Sequence, residues 1–89
     1  HVPPPEHLVN QLGYRTLQSE NDKDKSKAVE FFIINVENYP KSPNSYDSLG
    51  EAYETVGNTD KAIDNYKKSL ELDPNNERAK IKIKELSKS

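Results

Sequence analysis

The sequence predicts an all-α fold built from a repeated helix–turn–helix unit, and three observations lead to this prediction. Apolar residues recur at intervals of three and four over most of the chain, which is the pattern of one face of an amphipathic helix. Gly, Pro and Asn separate the segments that carry this pattern, and these residues end or cap helices. Shifting the chain by 34 residues aligns its second half with its first, which indicates a structural repeat.

Composition limits the classes of function. The 89 residues form one small domain, and 13 basic against 15 acidic residues give a net charge of −2. We therefore expect no nucleic-acid partner, because binding to phosphate backbones needs a cationic excess. We expect no membrane partner, because no apolar run approaches the roughly 18 residues that span a bilayer. The absence of Cys fits a cytoplasmic location as well as a periplasmic or secreted one.

The N-terminal part is predicted to be a linker followed by a helix and a loop. Residues 1–6 contain three consecutive prolines, which favour an extended polyproline II conformation. We interpret them as a linker, with a ligand for an SH3-like domain as the alternative. Apolar residues at helical spacing predict a first helix over 7–19, and the charged segment 19–27 is interpreted as a loop. Because the chain lacks Met, also at position 1, we expect it to be a piece of a longer protein or a processed one.

Two helices are predicted in the middle of the chain, over 26–39 and 43–57. The first is dense in apolar residues and is expected to be largely buried, together with Asn35. Ser42 and Pro43 have the residue types of an N-cap and a first helical position. Gly57 is suited to the left-handed conformation that follows a helix C-terminus.

The last two helices are predicted over 60–73 and 76–87. Thr59 is the expected N-cap of the first, and Asn76 of the second. The alternation from Lys80 to Lys84 would also fit a short strand, but it follows a helix-start signal, so we favour a helix. In this helix Ile81 and Leu86 are expected to cover the apolar stripe of the preceding one, formed by Ile63, Tyr66 and Leu70.

Seven residues of the second half have the order and spacing of a known repeat: Tyr46, Leu49-Gly50, Tyr53, Ala62, Tyr66 and Pro74. This pattern resembles the tetratricopeptide repeat family, whose unit is a helix–turn–helix of 34 residues. The first half matches more weakly, at Leu12-Gly13, Ala28, Phe32 and Pro40. The resemblance implies a repeat domain over 7–89. Its parts are repeat one over about 7–42 with a three-residue loop insertion, repeat two over 43–76, and a capping helix over 77–88.

The residues do not suggest catalysis. The two histidines, His1 and His7, flank the prolines at the start of the chain, so a Ser-His-acid triad has no candidate. Three glycines form no phosphate-binding loop, and His1 and His7 match no metal-site spacing. We therefore expect the chain not to be an enzyme and to use no metal, cofactor or small-molecule substrate.

The family resemblance implies that the first helix of each repeat lines a short concave groove that binds a peptide or a partner protein. By register, the residues of this groove are Asn10, Tyr14, Leu17, Asn44, Asp47, Glu51, Glu54, Arg78, Ile81 and Lys82. The three acidic residues share one helical face, which favours a ligand with Lys or Arg. The alternative for them is a solvated helix face. Only Arg78 and Lys82 match the basic clamp by which some relatives hold a chaperone's C-terminal carboxylate, so we do not expect that activity.

A second resemblance provides an alternative function. The segments 12–14, 31–40 and 46–53 look like C-terminal repeats of bacterial proteins of the serine-hydrolase and esterase type. This resemblance implies that the chain could be an accessory domain that packs on, or dimerises, an upstream hydrolase domain of the same protein.

Overall fold

In a computed structural model, residues 6, 8 and 22–88 are described. Residues 22–88 form four α-helices: α1 (Asp22–Asn38), α2 (Pro43–Thr55), α3 (Thr59–Leu72) and α4 (Glu77–Leu86). The described part of the chain contains no strand, which confirms the all-α prediction and places the alternation around Ile81 in a helix. Apart from Leu8, the helix predicted over 7–19 lies outside the described residues. Each helix found here is too short or too polar to cross a membrane.

The helix α1 begins earlier than the sequence predicts. We expected this helix to begin at residue 26, after a charged loop, but the chain is helical from Asp22. The 34-residue shift aligns the last residues of α1 and α3, Asn38 and Leu72, yet α1 has 17 residues and α3 has 14. The three additional residues of α1 therefore lie at its N-terminus, before the position that aligns with the start of α3. The segment 22–27 contains no Gly or Pro, so its backbone does not oppose a helix.

The ends of α2 follow the expected chemistry with one difference. Ser42 is at the N-cap and Pro43 is in the first turn, as predicted, but the Ser42 hydroxyl does not cap the helix. It donates a hydrogen bond to the Glu6 carboxylate instead, at 2.8 Å. At the C-terminus Gly57 has a φ of 86°, as predicted. The Asn58 N–H then reaches the carbonyl of Tyr53 at 2.9 Å, which closes the helix in a Schellman motif.

Asparagine caps both of the later helices. The Asn58 side chain accepts a hydrogen bond from the Lys61 N–H at 3.3 Å, so the prediction of Thr59 as the cap is wrong. Thr59 is the first helical residue, and Asn caps a helix at least as well as Thr does. The prediction for α4 is confirmed, because the Asn76 side chain accepts from the Ala79 N–H at 3.1 Å.

Within residues 22–88 the core consists of two clusters that follow the order of the helices. The first joins α1 to α2 through the buried residues Ala28, Phe32, Leu49 and Ala52. The second joins α3 to α4 through the buried residues Ala62, Tyr66 and Ala79. Tyr53 on α2 packs against both clusters and connects them. Asn35 is fully buried, as predicted.

On the apolar face of α4, Ile83 takes the place that was predicted for Ile81. Leu86 packs on the second cluster as expected, but its companion is Ile83, and Ile81 is 54% exposed. Ala79, Ile83 and Leu86 follow one another at spacings of four and three, so they share one side of the helix. Ile81 lies between them in sequence and therefore faces the other side.

A methyl group at Gly50 is expected to destabilise the fold. A Cβ at this position would lie 3.0 Å from the ring of Tyr66, which is fully buried and cannot move into solvent. For Gly50→Ala, overpacking of about 1–3 kcal/mol exceeds the gain in helix propensity of about 1 kcal/mol. We expect urea denaturation to show a free energy of unfolding lowered by about 1 kcal/mol. A more stable variant would mean that the Tyr66 ring can shift aside.

Candidate functional site

Two helices, α2 and α4, supply the described part of the predicted groove. Asn10, Tyr14 and Leu17 lie outside the described residues. The structure brings five of the other predicted residues together through ion pairs, and we call them the ion-pair face: Asp47, Glu51 and Glu54 on α2, and Arg78 and Lys82 on α4. Asn44 and Ile81 are exposed and are not part of these ion pairs.

Arg78 bridges two carboxylates of α2. Its Nη1 donates to Asp47 Oδ2, and its Nη2 donates to Glu51 Oε2 at 2.8 Å. Asp47 and Glu51 are four residues apart and therefore lie one above the other on the helix. A planar guanidinium with several N–H groups suits two acceptors in this arrangement. The contact holds the N-terminal part of α4 against α2.

Glu54 connects three helices. One of its oxygens accepts from Lys82 Nζ on α4 at 3.3 Å, and the other accepts from the Tyr66 hydroxyl on α3 at 3.1 Å. Tyr66 is fully buried, so its ring belongs to the core while its hydroxyl reaches the ion-pair face. The repeat pattern predicts Tyr66 as a core residue only, so this second role was missed. The available signal was that a buried tyrosine hydroxyl usually finds a hydrogen-bond partner.

The carboxylates of the ion-pair face already have partners within the chain. We expected Asp47, Glu51 and Glu54 to meet the cations of a ligand or to be solvated, but Arg78 and Lys82 pair with all three. Three carboxylates and two cations leave a net charge of −1 on this face. A preference for a basic ligand stays a prediction, and such a ligand has to compete with the cations of α4.

Burial and charge shift the pKa values of three groups here. Burial raises the pKa of Asp47 above its ordinary value of 3.8, although the nearby Arg78 charge opposes the change. The Oδ1 atom of Asp47 is buried and has no hydrogen-bond partner among the described residues. Burial and the Glu54 charge raise the pKa of Tyr66, so its hydroxyl keeps its proton and remains a donor. Burial works to lower the pKa of Arg78, but the hydrogen bond to Glu51 and the Asp47 charge outweigh it and raise that pKa.

The raised pKa of Asp47 predicts a pH dependence of stability. The folded chain holds the Asp47 proton more tightly than the unfolded chain does. The contribution of this group to the free energy of unfolding is therefore largest at low pH, and it falls as the pH rises from 3.8 through the raised pKa. Asp47→Asn removes this titration. In urea denaturation at a series of pH values, the stability of the wild type relative to Asp47→Asn should decrease as the pH rises. An increase would show that attraction to Arg78 outweighs burial.

Comparison with known families supports the repeat assignment. Residues 48–76, which include the second half of α2 and all of α3, match the tetratricopeptide repeat family model. Together with the four helices, this match supports an all-α repeat of the tetratricopeptide type. Repeats of this family generally mediate protein–protein interaction. No curated protein matches the chain. The resemblance to C-terminal segments of bacterial hydrolases therefore stays a prediction.

Proposed function

We propose that this chain is a non-catalytic protein–protein interaction module that binds a partner peptide or protein surface at the ion-pair face. The general role of the repeat family supports the proposal. The observation that carries it is the concentration of five charged side chains on the adjoining sides of α2 and α4. The Arg78 side chain is 46% exposed, so a partner can reach the centre of this face.

Binding at this face is expected to be weak and polar. The large apolar side chains that are exposed among residues 22–88 lie on separate elements: Ile34 on α1, Val56 after α2 and Ile81 on α4. They do not supply the apolar patch of a strong interface. A short, charged face should therefore bind a peptide in the micromolar range or more weakly. Affinity should fall as salt rises, because charges are screened beyond about 10 Å at 0.1 M salt.

A ligand with Lys or Arg fits this face better than an acidic one. The network has a net charge of −1. This charge attracts a cation, whereas it would repel a carboxylate. Tyr14 remains a predicted aromatic contact for the same ligand, because aromatic residues are enriched at binding hot spots; its position is outside the described residues.

Titration of basic and acidic peptides tests this proposal. We expect basic peptides to bind the wild type better, and Glu51→Lys to weaken their binding about tenfold, because it replaces attraction by repulsion. Glu71→Lys is the matched control, since Glu71 is exposed on α3 and pairs with Lys68 instead of α4. It should leave the affinity nearly unchanged. Preferred binding of acidic peptides, or equal effects of both variants, would contradict the proposal.

An upstream hydrolase domain of the same protein is a second proposed partner. Interfaces between domains of one chain are more polar than obligate interfaces, and this fits a face made of ion pairs. A covalent link also compensates for weak affinity through a high effective concentration. Hydrogen exchange on a longer natural chain should then show added protection of α2 and α4. Unchanged protection there would contradict this alternative.

A further inference from the structure

The helix α4 has the chemistry that we expect of a ligand for α2. Residues 75–89 carry five basic and two acidic side chains, a net charge of +3. Two of the basic residues, Arg78 and Lys82, are four residues apart and contact the α2 carboxylates. The apolar residues Ala79, Ile83 and Leu86 lie beside them and cover the second core cluster. The chain thus contains its own basic amphipathic helix on the acidic side of α2.

We propose that α4 is the resident occupant of the acidic side of α2, and that a basic amphipathic helix of a partner binds by taking its place. The inference rests on the proposed function and specifies both the partner and the mode of binding. The partner helix needs two cations four residues apart, next to an apolar stripe. Its cations replace Arg78 and Lys82, and its apolar side chains replace Ile83 and Leu86.

The contacts of α4 make it replaceable. It has ten residues, and isolated helices shorter than about 12–15 residues are marginal in water, so α4 depends on its docking. Only Ala79 of this helix is buried. The side chains of the Arg78–Glu51 and Lys82–Glu54 pairs are 27–46% exposed, so these two pairs contribute little each. The turn at Asp73–Asn76 separates α4 from α3. The first core cluster has no residue from α4.

Replacement of α4 requires both the cations and the apolar stripe of the partner helix. Departure of α4 would expose the cluster around Tyr66 and would leave Asp47 without its cation. A basic peptide without an apolar stripe could satisfy the carboxylates but would leave the cluster exposed to water. An apolar helix without cations would leave a buried carboxylate unpaired, which is costly. A helix that combines both restores the ion pairs and the apolar cover that α4 provides.

The test uses the whole chain and a synthetic probe peptide with the sequence of residues 75–88. We expect the probe to bind, and hydrogen exchange to show lost protection in α4 of the chain while α2 keeps its protection. One control peptide carries Arg78→Gln and Lys82→Gln, and another carries Ile83→Gln and Leu86→Gln. Each should bind about tenfold more weakly, because it lacks one half of the contacts.

Weakening the resident helix should strengthen the binding of the probe. Lys82→Gln in the chain removes the contact to Glu54 and favours the open state. The apparent affinity for the probe should then rise about three- to tenfold. Lys80→Gln is the matched control, because Lys80 pairs with Glu77 inside α4, and it should leave the affinity unchanged. Circular dichroism checks that both variants are folded.

Three results would overturn the inference. Binding of the probe with α4 protection unchanged, or equal affinity of Lys82→Gln and wild type, would refute replacement and leave the proposed function intact. Failure of the probe and of every basic peptide to bind would refute both.

Discussion

Tyr66→Ala is expected to lower the free energy of unfolding by about 3–5 kcal/mol, the usual cost of truncating a buried aromatic residue. Tyr66 is fully buried, and its ring packs in the second core cluster and against Gly50. A domain of 89 residues has only a modest stability to lose. We therefore expect circular dichroism to show a chain that is largely unfolded or that melts far below the wild type.

Tyr66→Phe is the matched control for this effect. It keeps the ring and removes only the hydroxyl that donates to Glu54, so it should cost about 1 kcal/mol. The two variants together separate the packing of the ring from its hydrogen bond. A Tyr66→Ala chain as stable as Tyr66→Phe would contradict a core position for the ring.

Removal of α4 is the second change with a large expected effect. A chain that ends at residue 74 loses Ala79, Ile83 and Leu86, which cover the second core cluster. We expect it to lose about 3 kcal/mol of stability, from the burial of these three apolar side chains. It should also self-associate, because a terminal repeat without a polar cap exposes its apolar face.

Thermal melting and sedimentation measure these two consequences of removing α4. A chain shortened only to residue 86 retains all of α4 and is the matched control, which should stay monomeric with a nearly unchanged melting temperature. A chain of residues 1–74 that behaved in the same way would contradict a capping role for α4.

Helix boundaries could be predicted where a local signal marks them. Pro43, Gly57 and Asn76 define ends by their own backbone or side-chain chemistry, and the structure places them as predicted. The start of α1 lacked such a signal. Its first residues are charged and contain no Gly or Pro, and a segment without apolar residues has no periodicity that separates helix from loop.

The site could be predicted as a set of residues but not as a set of contacts. The repeat register brought Asp47, Glu51 and Arg78 to one face, and the structure places them there. Which of them form pairs depends on how α4 lies across α2 and on side-chain rotamers, neither of which sequence spacing determines. The same dependence explains why Ile83, and not Ile81, faces the core.

Chemical-shift mapping by NMR tests binding at the ion-pair face most directly. An isotope-labelled chain is titrated with a basic peptide, and backbone and side-chain resonances are followed. We expect the largest changes at Asp47, Glu51 and Glu54 on α2 and at Arg78 and Lys82 on α4. Changes confined to the outer side of α1 around Ile34, or no changes at saturating peptide, would contradict an interaction site at this face.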